Sequence, residues 1–70
     1  MLEKISMKAA RTEAGISQGE MAKRLKRSQN LVLDWEKNRK APRTDDFIAY
    51  CEVCGFSPDD VIMPIPLEKN

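Results

Sequence analysis

Cys51 and Cys54 stand three residues apart, so a helix would carry both thiols on one face, and "CEVC" has the outward form of a metal or redox pair. Zinc asks for about four ligands, however, and the chain holds no histidine and no further cysteine. The pair therefore reads as core packing, and neither a metal nor another cofactor is expected. A nucleophile would need a base at its side; without histidine no motif supplies that pairing, and the sequence points away from an enzyme. Side chains able to recognise rather than react are plentiful. In "SQNLVLDWE", residues 28–36, a helical turn of about 100° per residue sorts the side chains into two arcs. Leu31, Val32 and Trp35 share one arc, which packs inward; Gln29, Asn30, Leu33, Asp34 and, beyond the stretch, Lys37 share the other, which looks out.

Charge says what such a surface would meet. The net charge is only +1, yet residues 1–43 hold eleven Lys or Arg against five acids, giving +6, and residues 44–70 hold one Lys against six acids, giving −5. A localised basic field attracts phosphates whatever the total, so the first half points to a polyanionic partner, the alternative being a solvated surface. At 70 residues the chain makes one small core. No apolar run is long enough to span a bilayer, and the first residues lack the pattern of a secretory signal. Two cysteines are too few for a disulfide framework, and a reducing cytoplasm is the expected location.

The elements that must hold these side chains are marked by caps. Met7, Ala10 and Ala14 recur at three and four residues, predicting a first helix from about Glu3 to Ala14 that Gly15 closes in a left-handed conformation. "SQGE" is a capping box, Ser17 with Glu20, and predicts a second helix from Gln18 to Leu25. Ser28 caps a third, running to about Lys37, with Asn38 able to take the closing left-handed position. Two helices across so short a turn form a helix-turn-helix. In "RKAPR", Pro42 discourages helix at Ala41. Thr44, followed by Asp45 and Asp46, predicts the cap of a fourth helix, with Phe47, Tyr50, Cys51 and Cys54 on its buried face and Gly55 at its end. Ser57 and Pro58 open a last short helix, and "MPIPLEKN" is expected to be extended. The expectation is an all-α fold of five short helices and no strand: a helix-turn-helix domain over residues 1–62 and an extended tail over 63–70.

The stretch "ISQGEMAKRLKRSQNLVLDWEKNRKAPR", residues 16–43, closely resembles the DNA-binding helix-turn-helix of the phage repressor family, of Cro and cI or XRE type. The likeness extends back to Arg11 and forward through "CGFSPDDV". Lys26 and Asn38 depart from it, standing where that family commonly has glycine. The resemblance implies a lambda-repressor-like domain, a sequence-specific transcriptional regulator that lays its third helix in the major groove. Gln29 and Asn30 would then read adenine through their amides. Leu33 and Asp34 stand where the family usually carries polar or basic residues; a leucine can rest on a thymine methyl and an aspartate can accept from the cytosine amino group. Against this, Leu33 reads as a stray exposed apolar residue and Asp34 as a partner of Lys37.

Phosphate contacts would fall to Gln18, Arg27, Ser28, Lys37, Asn38, Arg39, Lys40 and Arg43, with Lys23 and Arg24 weaker candidates. The resemblance also pairs Arg11 with Glu36 in a partly buried salt bridge. The partner would be double-stranded DNA carrying a palindromic operator, read by a homodimer whose recognition helices lie about 34 Å apart. The apolar end offers Val61, Ile62, Met63, Ile65 and Leu67 as the dimer interface, unless the tail folds back on its own core. A rival reading takes the helix-turn-helix as a protein-interaction module, an adaptor, antirepressor or antitoxin, that uses Leu33 and Asp34.

Overall fold

A computed structural model describes residues 3–65. Among these the chain forms β1 (Ile5–Ser6), α1 (Met7–Glu13), α2 (Gln18–Leu25), α3 (Gln29–Glu36), α4 (Thr44–Cys54), a single 3₁₀ turn (Pro58–Asp60) and β2 (Val61–Ile62). There are thus four α-helices rather than five, and a strand pair that the sequence reading omitted. Each correction has a local cause. Ser6 is extended, and its hydroxyl accepts from the Ala9 amide at 3.0 Å, so the first helix starts at Met7 instead of Glu3. The freed residues pair in parallel with β2, Ile5 opposite Val61 and Ser6 opposite Ile62. Ser57 does cap the segment after α4, accepting from the Asp59 amide, but Val61 turns extended to join β1, so only the one 3₁₀ turn fits between.

The middle helices follow their caps. Ser17 accepts from the Glu20 amide and Ser28 from the Leu31 amide, satisfying donors that a helix start leaves unpaired. Lys26 closes α2 in the left-handed region at φ 58°, a conformation that costs a non-glycine residue roughly 1 kcal/mol. Asn38, at φ 61°, serves the turn after α3. Thr44 is not a cap: the Arg43 carbonyl accepts from the Phe47 amide at 2.9 Å, which makes Thr44 the first helical residue.

Between the helices lies one core, in which Met7, Ala10, Met21, Val32, Trp35, Phe47, Tyr50, Cys51 and Val61 are buried. Trp35 and Tyr50 meet edge to face with ring centroids 6.4 Å apart. α2 packs against α3 and α4, and α1 against α4, so the last helix is the platform on which the helix-turn-helix rests. Both cysteines sit in this core, and burial pushes the Cys51 thiol up to about 11. No helix among the described residues is long and apolar enough to cross a membrane.

Candidate nucleic-acid interface

α3 presents two surfaces, as its arcs require. Val32 and Trp35 are buried and Leu31 packs at the core margin, while Gln29, Asn30 and Lys37 are exposed. Leu33 and Asp34 lie between these extremes, half-buried. The Asp34 carboxylate faces the turn that follows, with Arg39 Nη1 at 3.5 Å and Lys40 Nζ at 4.0 Å. Its partners are therefore Arg39 and Lys40, where the sequence reading had weighed Lys37. These two cations compete with any base amino group for the carboxylate's lone pairs.

At the other end of α3, Glu36 is the centre of a network. Its side chain is 2% exposed, and a buried carboxylate persists in charged form only where donors surround it. Oε2 accepts from Arg11 Nε at 2.7 Å and from the Tyr50 hydroxyl at 2.6 Å; Oε1 accepts from Arg11 Nη2 at 3.0 Å and from Gln18 Nε2 at 3.1 Å. Burial alone would raise its pKa, but the hydrogen bonds from Arg11, Tyr50 and Gln18 outweigh it, and the carboxyl is held below its ordinary value. The hydrogen bond to Glu36 raises the Arg11 guanidinium, and burial beside the carboxylate pushes the Tyr50 phenol well up. Arg11 Nη1 also donates to the Ile16 carbonyl at 2.9 Å, tying the loop before α2 to the same centre. The Tyr50 hydroxyl lies 2.9 Å from the Met7 carbonyl as well, but it has one proton to give, and the charged acceptor is nearer.

Gln18 connects this buried centre to the surface. Its Nε2 points in to Glu36, and its Oε1 lies 3.4 Å from Nε2 of Gln29, in the first turn of α3. Gly19 lies beside the pair, where a β-carbon would make ordinary van der Waals contact with the Gln29 amide at 3.4 Å. The structure thus brings two of the sequence-nominated side chains, one from each helix of the motif, to a single spot beside the exposed Asn30.

The cations divide into two groups. Arg27 is drawn to α4, with Nη2 3.0 Å from Asp46 Oδ1, so a nominated phosphate ligand already has a partly buried partner. Lys37, Asn38, Arg39, Lys40 and Arg43 are exposed along the turn after α3, and Arg43 lies 3.9 Å from Asp45. Ser28 is exposed and committed to its cap. On α2, Lys23 is exposed and Arg24 pairs with Glu20 one turn before it. Of the residues nominated for a dimer contact, Val61 belongs to this chain's own core and Met63 packs against it, which leaves Ile62 and Ile65 exposed. Leu67 lies outside the described residues.

Three partners are not legible in the sequence: Tyr50, Asp46 and Gln18, which was expected on a phosphate and donates inward to Glu36. Tyr50 was read as core, which it is, although a buried phenol needs an acceptor and so announces a polar neighbour. Asp46 is expected only as an acid at the start of the fourth helix; nothing local marks it as the partner of Arg27, nineteen residues earlier in the chain.

A capped helix, a tight left-handed turn and a second helix with its polar arc in solvent define a helix-turn-helix. The family model described as a helix-turn-helix domain matches residues 6–61, and the chain belongs to that family. Neither a curated protein nor a solved structure matches it.

Proposed function

We propose that this chain is a sequence-specific, DNA-binding transcriptional regulator of the Cro and repressor type, acting in the cytoplasm and without enzymatic activity. The observation that carries the reading is the exposed first turn of α3. Gln29 and Asn30, whose amides can pair with adenine in the major groove, stand clear of the core, with Lys37, Arg39, Lys40 and Arg43 exposed beyond the far end of the same helix. Base-edge contacts would come from that first turn and from the half-exposed flank at Leu33; affinity would come from the cations of the turn, because phosphate contacts position such a protein and dominate its binding.

Reading an operator at useful affinity calls for two copies, since one recognition helix spans only a few base pairs. The homodimer proposed here uses the exposed Ile62 and Ile65 of the chain's end. Selection of bound sequences from a random duplex pool tests both parts. A palindromic consensus with half-sites one helical turn apart is the expected result. Recovery of no enriched sequence, at low as well as moderate salt, would leave the helix-turn-helix to a protein partner.

A further inference from the structure

We infer that Leu33 reads the C5 methyl group of a pyrimidine whichever base carries it, so that the operator is bound more tightly with 5-methylcytosine than with cytosine, as with thymine than with uracil. This rests on the reading of α3 as the helix that meets DNA.

Leu33 is an apolar residue that the fold leaves over. Every other half-buried leucine, isoleucine, valine, methionine or phenylalanine among the described residues packs against the core, Leu31 on the same helix included. Leu33 does not. It stands on the arc of α3 that carries the exposed Gln29 and Asn30 one turn before it and the exposed Lys37 one turn after it. A leucine on that arc has only hydrocarbon to offer a base edge, and the apolar group that the major groove presents is the methyl on C5 of thymine.

Next to C5, a pyrimidine shows either the O4 acceptor of thymine or the N4 donor of cytosine. Telling the two apart takes a polar atom beside the leucine. Asp34 is the adjacent residue, but its acceptors are turned to the end of the helix. Its carboxylate faces Arg39 Nη1 and Lys40 Nζ at 3.5 and 4.0 Å, and its carbonyl accepts from the Arg39 amide at 2.8 Å. The methyl is then the feature of that base that α3 detects. 5-Methylcytosine carries the same methyl at the same place, beside an amino group that Leu33 cannot distinguish from a carbonyl oxygen. Binding therefore responds to the modification state of the operator as well as to its sequence.

Duplexes built on the sequence selected from a random pool isolate the methyl. At each thymine of the half-site, thymine is compared with uracil and 5-methylcytosine with cytosine, the opposite strand being the same within each pair. For the wild-type chain one position should show both effects: loss of the methyl should weaken binding about fourfold for one half-site and about fifteenfold for both, the worth of burying one methyl group at each. In Leu33→Ala both differences should shrink below about twofold. If uracil weakens binding at no position, or weakens Leu33→Ala equally, the proposal is overturned while the selected consensus leaves the reading of α3 intact. A loss on uracil with none on cytosine assigns the neighbouring O4 to a donor such as Lys37, and overturns it too. Selection of no sequence at all defeats the reading of α3, and the proposal with it.

Should Leu33→Ala bind no duplex, the wild-type complex decides the matter. With an isotopically labelled methyl on 5-methylcytosine at the sensitive position, a nuclear Overhauser contact to the Leu33 δ-methyl groups is expected. Absence of that contact, where Gln29 shows contacts to its own base, rules the proposal out.

Discussion

Glu36 and Gln29 lie about two turns apart on the same helix and are held in opposite ways. Glu36 is enclosed, with four donated hydrogen bonds from three other segments of the chain. Gln29 is exposed, with one long hydrogen bond to Gln18. The enclosed end fixes where α3 sits, since Arg11, Gln18 and Tyr50 each pull it toward a different element. The exposed end keeps hydrogen-bonding capacity for something outside the molecule. A helix of eight residues can serve both purposes only if its polar groups are segregated along its length as well as around it.

The widest gap between the two ends should appear in stability. Glu36→Ala strands the Arg11 guanidinium, which is 11% exposed, and should cost about 3–5 kcal/mol in denaturant unfolding. That is a large share of what a small domain possesses. The Arg11→Ala, Glu36→Ala double variant should show strong coupling between the two sites; additive losses would mean that the pair is no pair. At the exposed end the same kind of truncation should do the reverse. Gln29→Ala should leave the unfolding midpoint nearly unmoved while removing about 1–3 kcal/mol of discrimination at one base pair, read by competition between duplexes.

Acid sharpens the same contrast. The carboxyl of Glu36 is depressed in the folded state, so the stability it contributes is present in full above the unfolded carboxylate value of about 4.3 and is lost as pH falls through the lower folded value. Unfolding midpoints measured between about pH 5 and 2 should fall more steeply in the wild type than in Glu36→Gln. Equal slopes would mean that Glu36 titrates as an ordinary surface acid.

The smallest effect belongs to Asp34, whose carboxylate faces Arg39 and Lys40 across 3.5 and 4.0 Å. Partly exposed pairs of this kind contribute little, so Asp34→Asn should change stability by less than about 0.5 kcal/mol. Releasing the two cations toward phosphate should raise affinity for any duplex and steepen its salt dependence. Weaker binding confined to duplexes with one particular cytosine would instead make Asp34 a base reader.

What the sequence made legible tracks what is local. Ser17, Ser28 and Gly55 marked the helix ends correctly, because a cap is decided by neighbours within one turn. The two arcs of α3 were readable from its periodicity alone. The start of α1 differs from its expected position because apolar spacing does not reveal Ser6 as the cap, and the strand pair is not legible because two residues per strand carry no alternation to read. The inner half of the candidate site was partly hidden for another reason. The pairing of Arg11 with Glu36 came from family resemblance, whereas the donations from Tyr50 and Gln18, and the capture of Arg27 by Asp46, join residues distant in the chain whose types are individually ordinary.

The most direct test of the central claim is to titrate the isotopically labelled chain with its selected duplex and follow the backbone and side-chain amide resonances at low and moderate salt. The account predicts shifts concentrated on the first turns of α2 and α3 and on residues 37–43, fading together as salt rises. Shifts centred on the acidic residues of α4 and the chain's end, or none at all on α3, would contradict it.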